Sequence, residues 1–227
     1  MKIEIWSDYA CPFCYIGEAR LEKAMNELGI KDQVNIEMRS FELDPNASYE
    51  VVSTTEDRFA KKYGLSNSMA AERIRQIEQY GKDEGIDFKY YTTRYTNTMD
   101  AHRLTHYAEK QGNKTIAKDL FKAYFTDNLE LSDKNVLKEI AVKNGLDENE
   151  VEKVLNSNEF ESDVRKDETQ AYSMGVRGVP YFLINGEITL SGAQNVETFK
   201  MALKQAMQDD SQNKDLSGMS CGIDGCN

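Results

Sequence analysis

The sequence is poor in proline, histidine and cysteine, and it has no long apolar run. Only three prolines and two histidines occur among 227 residues, and no long tract of biased composition is present. This composition excludes collagen-like and largely disordered classes of protein. No stretch approaches the length of a membrane span, and acidic residues interrupt the N-terminal segment MKIEIWSDYACPFC too early for a signal-peptide core. These absences predict a globular, cytoplasmic chain without membrane contact.

Positive charge is also scarce. Lys and Arg number 28 against 39 Asp and Glu, which gives a formal net charge of -11. Such a field repels nucleic acid, and no basic stretch reverses it locally. A glycine-rich phosphate loop is missing as well. We therefore expect neither nucleic acid nor a bound cofactor, whereas hydrophobic residues, at 40%, suffice for a sizeable core.

The first forty residues predict a strand, a helix and a second strand. Residues 2–7 and 33–40 are β-prone runs, the first with clear alternation of polar and apolar side chains. Between them, Pro12 suits the first position of a helix, apolar residues follow at helical spacing, and Gly29 is a natural stop. This order is typical of the start of an α/β domain.

The middle of the chain predicts helices almost throughout, and strands return only near the end. A hairpin is predicted at 180–185 and 187–191, where Asn185-Gly186 separates two short apolar runs, and a last helix at 195–208. A polar and aromatic loop is predicted at 87–97. The candidate helices of the middle segment, which glycines punctuate, are 55–63, 66–85, 99–111, 113–126, 133–143, 147–155 and 158–173.

These elements predict an α/β fold of β-α-β … β-β-α order with a large all-helical insertion. The two halves can share one mixed sheet only if the helical block is inserted between them. We predict a discontinuous domain from residues 1–45 and 175–208, an inserted helical domain at 46–174, and a flexible C-terminal tail at 209–227. The tail is rich in Ser, Asp, Asn and Gly.

The cysteines form two close pairs, and the first lies between a predicted strand and a predicted helix. In Cys11-Pro12-Phe13-Cys14, the unpaired N–H groups and the positive end of the helix favour a thiolate at Cys11. The thiolate is the attacking species in disulfide exchange. Cys14, one helical turn away, can then resolve the mixed disulfide. The alternative is half of a structural zinc site, which would need a second pair of ligands.

Four motifs together resemble a known family. The chain is similar to the DsbA-like oxidoreductases of the thioredoxin superfamily that carry an inserted helical domain, and most of all to their FrnE-type branch. The resemblance runs from residue 2 to about residue 208. The matching segments are Trp6-Ser7-Asp8-Tyr9 before the dithiol, Asn97-Thr98 with Ala101-His102-Arg103, Gly175-Val176-Arg177-Gly178-Val179-Pro180-Tyr181-Phe182, and Ser191-Gly192-Ala193-Gln194.

The resemblance implies a thioredoxin fold and a substrate site around the dithiol. It implies that Val179-Pro180 is a cis peptide facing the cysteines, and that the Val179 backbone pairs with an extended substrate. It also brings His102 near the dithiol. The predicted substrate-contacting residues are Pro12, Phe13, Val179, Pro180 and His102. Partners would be disulfide- or thiol-containing proteins or small thiols, and the chain would be a monomer or a homodimer.

One position departs from the family pattern. Periplasmic oxidants of this superfamily commonly carry His just before the second cysteine, whereas this sequence has Phe13 there. Phe cannot stabilise the thiolate as His does. We therefore expect a less oxidising couple than that of DsbA, which is about −120 mV.

The second cysteine pair, Cys221 and Cys226, lies at the C-terminus. The resemblance suggests an auxiliary dithiol that passes electrons to or from Cys11 and Cys14. An inert tail and a soft-metal site are the alternatives, since spacing alone does not separate these uses.

The two histidines, His102 and His106, stand i, i+4 on a predicted helix, as in helical zinc sites. A third ligand is missing from the motif, which favours a structural or pocket-lining role over metal binding. We predict no metal site.

The sequence thus predicts a thiol–disulfide oxidoreductase that acts through Cys11 and Cys14. A glutathione-dependent isomerase or transferase of the same superfamily is an alternative, although such relatives usually have Ser at the position of Cys11. A non-enzymatic redox or metal sensor that uses both cysteine pairs is a second alternative.

Overall fold

One four-stranded mixed sheet organises the chain. The computed structural model describes the backbone of residues 1–217 and the side chains of residues 1–209. Strand β2 lies parallel to β1, β3 lies antiparallel to β1, and β4 lies antiparallel to β3, in the order β2-β1-β3-β4. The early and late parts of the chain therefore share one sheet, which confirms the predicted fold class. The strands are β1 (Lys2–Ser7), β2 (Asn35–Ser40), β3 (Tyr181–Ile184) and β4 (Ile188–Ser191).

Two helices pack together beside the sheet. Helix α1 (Pro12–Leu28) begins with the predicted proline and ends at Gly29, whose φ of 66° is a left-handed conformation that glycine adopts without strain. Helix α9 (Val196–Ser217) packs along it. Apolar side chains of both helices and of the sheet form one buried cluster, which includes Ile3, Ile5, Leu21, Met25, Phe182, Ile184, Phe199 and Leu203.

The segment between β2 and β3 is helical, as predicted. Every predicted helix of this segment is present, with each end within three residues of the predicted range. Within residues 1–217, no helix has both the length and the apolar character that crossing a bilayer requires. The helices are α2 (Thr55–Tyr63), α3 (Asn67–Asp83), α4 (Met99–Lys110), α5 (Ile116–Phe125), α6 (Lys134–Lys143), α7 (Glu148–Leu155) and α8 (Glu161–Ser173).

Two helix starts fall later than predicted. Helix α5 begins at Ile116 rather than at 113, because the Asn113 carboxamide oxygen accepts hydrogen bonds from the backbone N–H groups of Thr115 and Ile116 and so caps the helix from outside. Helix α8 begins at Glu161 rather than at 158, because Phe160 is left-handed with φ 64°. Both corrections come from local backbone chemistry and leave the topology unchanged.

The last helix is longer than predicted. The prediction ended it at residue 208, but the backbone stays helical to Ser217. The sequence has neither Gly nor Pro between residues 195 and 217, so nothing breaks the helix before Gly218. The backbone of residues 209–217, predicted as the start of a flexible tail, is therefore helical.

The N-terminal end of α1 is buried against the middle helices rather than exposed. Tyr15 stacks on Phe121, with ring centroids 5.2 Å apart and planes 6° from parallel. Cys11 and Cys14 belong to the same buried cluster as these rings and as Phe125. The helical segment therefore shares a core with the dithiol helix, although the division of the chain into domains stays a prediction.

Candidate active site

Cys11 lies where β1 turns into α1. It is the N-cap residue of α1 in extended conformation, and Pro12 takes the first helical position. Both cysteines are free thiols and both are buried, with Cys11 only 4% exposed. The position at the positive end of a helix predicted from the sequence is therefore present.

The chain reaches the dithiol a second time just before β3. The Val179–Pro180 peptide bond is cis, as the family resemblance implied. The Cys11 thiol lies 3.7 Å from the Val179 carbonyl oxygen, to which it donates a weak hydrogen bond. The start of α1 and the segment before β3, which are 168 residues apart in sequence, are therefore in contact.

Glycine permits this close approach. A Cβ atom added at Gly17 on α1 would lie 3.1 Å from Pro180 Cγ and 3.2 Å from the Phe182 ring. Both distances are tighter than ordinary van der Waals contact. The absence of a side chain at Gly17 therefore lets Pro180 pack directly on the dithiol helix.

The two residues between the cysteines differ in exposure. Pro12 is buried in the first turn of α1, whereas the Phe13 side chain is 40% exposed. Val179 is partly buried. The exposed Phe13 ring is an apolar surface beside the reactive cysteine. That Phe13 and Val179 contact substrate stays a prediction.

Cys14 has surroundings of its own, which sequence reasoning did not identify. Burial raises the pKa of the Cys14 thiol well above its ordinary value, and the neighbouring Cys11 thiol raises it further, while a hydrogen bond with Ser7 opposes both effects. The same Ser7 hydroxyl lies 3.4 Å from a carboxyl oxygen of Glu18, and its single proton can be donated either to that oxygen or to the Cys14 sulfur. Cys14 is therefore connected through Ser7 to Glu18.

Glu18 is a carboxyl group with unusual properties. Burial raises its pKa to about 8, despite the hydrogen bond from Ser7. Its side chain keeps partial contact with solvent. A group that titrates near neutrality and touches both water and the Cys14 network can carry a proton between them. The signal was visible in the sequence, because Glu18 is four residues after Cys14 and so on the same face of α1.

Asp8 fixes the turn that leads into the dithiol. Its carboxylate accepts hydrogen bonds from the backbone N–H of Ala10 at 3.0 Å, from that of Leu43 at 2.7 Å and from the Thr98 hydroxyl at 3.1 Å. Burial raises the pKa of Asp8, against the effect of these hydrogen bonds. One side chain thus ties together the turn, the segment after β2 and the start of α4.

His102 lies behind this turn rather than at the surface. It is 3% exposed, and its ring packs on Tyr9 with centroids 5.0 Å apart. Its Nε2 has no hydrogen-bond partner, with Asp8 Oδ1 at 4.0 Å. Burial lowers the pKa of His102 to about 3, and the charge of His106 lowers it further. His102 is thus close to the dithiol turn, as predicted, but its burial argues against the predicted contact with substrate.

His106 has a different environment although it shares the helix face. Its Nε2 lies 3.1 Å from the Ser40 hydroxyl and 3.2 Å from Asp167 Oδ2. These contacts connect α4 to β2 and α8. In the part of the chain that the structure describes, no three His, Cys, Asp or Glu side chains are grouped so that they could hold a metal ion. Cys221 and Cys226 lie outside the described residues.

The comparisons with known proteins agree with this geometry. The model of the DSBA-like thioredoxin domain matches residues 2–204. A probable DsbA oxidoreductase from Streptomyces coelicolor, SCO1869, is similar in structure with a TM-score of 0.86 and 33% sequence identity, covering 100% of this chain and 94% of that one. The uncharacterized protein YwbO of Bacillus subtilis is 26% identical over 207 residues, which is 89% of this chain and 96% of that protein.

A more distant structure has the same fold. A 2-hydroxychromene-2-carboxylate isomerase is similar with a TM-score of 0.67 and 19% identity, covering 95% of this chain and 99% of that one. At this identity the likeness concerns the fold alone. The family match spans nearly the whole described chain and includes the dithiol turn and the cis-proline segment. The chain belongs to the DSBA-like thioredoxin domain family.

Proposed function

We propose that this protein is a thiol–disulfide oxidoreductase whose nucleophile is Cys11 and whose resolving thiol is Cys14. One observation carries the proposal: Cys11 caps α1 and lies 3.7 Å from the Val179 carbonyl oxygen. A helix N-terminus favours the thiolate, and the backbone beside it is available to align an extended substrate. Membership in a family of thiol–disulfide enzymes supports this reading.

The reaction follows from the two thiols. The Cys11 thiolate attacks one sulfur of a substrate disulfide and releases the other as a thiolate, which leaves a mixed disulfide. Cys14 then attacks the Cys11 sulfur, and the second substrate thiol leaves. The substrate has gained two electrons, and the enzyme holds a Cys11–Cys14 disulfide, which a low-molecular-weight thiol returns to the dithiol. The same steps in reverse oxidise a substrate dithiol.

Proton transfer at Cys14 is assigned to Glu18. Because the Cys14 pKa is raised, its proton must be removed before it can attack. The proton passes from Cys14 to Ser7 Oγ as the Ser7 hydroxyl proton passes to the Glu18 carboxylate, and water then receives it. In the reverse direction the neutral Glu18 carboxyl protonates Cys14 as it leaves.

Substitution of the two cysteines tests the proposal. We expect Cys11→Ser to abolish reduction of insulin by dithiothreitol above the uncatalysed rate. Cys14→Ser should accumulate a mixed disulfide with substrate, visible by mass spectrometry, because no thiol resolves it. A Cys11→Ser variant with wild-type turnover would contradict the assignment.

Further features of the proposal stay predictions. They are the FrnE-type branch, a cytoplasmic location, and electron exchange with Cys221 and Cys226. Only a likeness of fold supports the isomerase alternative.

A further inference from the structure

A groove of about 790 Å³ begins beside the dithiol. Ala10, the residue before Cys11, lies in its wall. The segment after β2 contributes apolar side chains, including Leu43 and Val52, which are 39% and 75% exposed. Helix α2 forms the opposite part of the lining. The groove therefore reaches the residue that precedes Cys11 in the chain.

Three cationic side chains of α2 line the groove. Arg58, Lys61 and Lys62 stand at i, i+3 and i+4, which puts them on one face of the helix. None of the three forms an ion pair with another residue of the described chain, whereas Arg39 and Arg165 do. Their charge is thus uncompensated by direct contact.

The two carboxylates of the lining, Asp44 and Asp57, form no ion pair with these cations, so the groove keeps one net positive charge. Asp57 accepts hydrogen bonds from the Thr54 hydroxyl at 2.7 Å and from the Asn67 carboxamide at 3.0 Å. Asp44 accepts one from the backbone N–H of Asn46 at 3.1 Å. Asp57 thus stabilises the start of α2, and Asp44 stabilises a local turn. These hydrogen bonds fix the positions of both carboxylates.

Arg58 has the firmest position of the three cations. Its guanidinium carbon lies 3.8 Å from the centre of the Tyr95 ring, which places the cation over an aromatic face. Its Nε and Nη2 are buried and have no hydrogen-bond partner among the described residues. Buried donors without acceptors are rare and costly, and the charge they carry is poorly screened.

We propose that this groove selects substrates that carry a carboxylate close to the reactive cysteine. Arg58 supplies a fixed positive charge, Lys61 and Lys62 supply mobile ammonium contacts, and Leu43 and Val52 hold apolar groups of the same segment. The net charge of -11 repels acidic ligands at long range, so these contacts act only on a substrate already docked at Cys11. The proposal rests on the oxidoreductase function proposed above and names its substrate class.

Matched peptides test the proposal. Each amidated pentapeptide has a central cysteine joined to 2-thiopyridine, and attack by Cys11 releases pyridine-2-thione, which absorbs light. One peptide has Glu on both sides of the cysteine, a second has Gln there, and a third has Gln there but a free C-terminal carboxylate. We expect the reduced enzyme to react about fivefold faster with the Glu peptide than with the Gln peptide, and the preference to weaken in high salt. The third peptide shows whether a terminal carboxylate serves as well as a side chain.

Variants with matched charge separate groove contacts from the overall field. In Lys61→Gln/Lys62→Gln, the preference for the Glu peptide over the Gln peptide should fall to about twofold or less. Lys166→Gln/Lys204→Gln removes the same charge from exposed positions on α8 and α9 and should keep the preference.

Two results would overturn the groove assignment: no preference in the wild type, or an equal preference in both double variants. Failure of the oxidoreductase function itself looks different. Cys11→Ser would then release pyridine-2-thione from the Gln peptide as fast as the wild type does.

Discussion

Glu18 shows how a single side chain can control a buried thiol. It lies one helical turn after Cys14, receives a hydrogen bond from Ser7 and keeps partial solvent contact. In Glu18→Gln, the geometry is kept and the proton acceptor is lost. We expect resolution of the mixed disulfide to slow by about tenfold or more above pH 8, where Glu18 is ionised and can accept the proton. The measurement is the rate of release of the second substrate thiol.

The same substitution has a second, independent readout. The pKa of Glu18 is raised to about 8 from 4.5, so folding disfavours the charged form. The ionised Glu18 therefore lowers the free energy of unfolding as pH rises above 4.5, and this loss is complete above pH 8. Above pH 8, Glu18→Gln should be more stable than the wild type by about 1–3 kcal/mol. Near pH 4 the variant and the wild type should unfold alike. Glu22→Gln, one turn further along α1, serves as control and should leave resolution unchanged; equal rates in Glu18→Gln and wild type would contradict the relay.

Helix α4 carries two histidines on one face, and the structure separates their roles. His102 packs on Tyr9 without a partner for Nε2, whereas His106 contacts Ser40 and Asp167. Burial lowers the pKa of His102 to about 3 from 6.5. The folded protein therefore favours the neutral imidazole of His102. The contribution of this group to the free energy of unfolding is fully present above pH 6.5 and is lost as the pH falls toward 3.

Replacing each histidine by Phe tests this difference. In His102→Phe, position 102 no longer holds a buried imidazole that must stay neutral, so the acid-induced loss of stability should be smaller than in the wild type, by on the order of 3 kcal/mol between pH 6.5 and pH 4. In His106→Phe, two polar contacts are lost, and stability should fall at every pH. Urea unfolding monitored by circular dichroism at several pH values measures both; parallel pH profiles for His102→Phe and wild type would contradict the interpretation.

The sequence predicted the elements well because their signals are local. Pro12 and Gly29 mark the ends of α1, and Asn185-Gly186 marks the turn between β3 and β4. Boundaries shifted where a side chain caps a helix from outside, as Asn113 does, since propensity does not report such hydrogen bonds.

The site was predictable only in part, because its contacts join distant parts of the chain. The position of Cys11 between a strand and a helix is local, and its prediction follows from the motif. The contacts that Asp8 makes with Leu43 and Thr98 depend on the tertiary fold. The burial of His102 and the unpaired cations of α2 likewise follow from packing that no spacing rule expresses.

At the scale of the whole molecule, the second cysteine pair is the main untested prediction. If Cys221 and Cys226 exchange electrons with the dithiol, Cys221→Ser/Cys226→Ser should lower turnover severalfold when the reductant is limiting, with the Cys11–Cys14 couple intact. A variant that keeps Cys221 and Cys226 but replaces the exposed Met201 of α9 by Leu provides a control. Unchanged turnover in the double variant would leave the tail without a redox role.

The order of the strands has a consequence for how the protein is made. Strand β1 pairs with β3, and Cys11 meets a carbonyl group 168 residues further along the chain. At about 5–20 residues per second, a ribosome needs roughly 8–34 s to synthesise that stretch. During this interval the nascent chain presents both cysteines without the cis-proline segment that later covers them. The redox state of the surroundings therefore determines whether Cys11 and Cys14 of the nascent chain are thiols or a disulfide. The contact between Cys11 and Val179 can form only after the whole stretch has been synthesised.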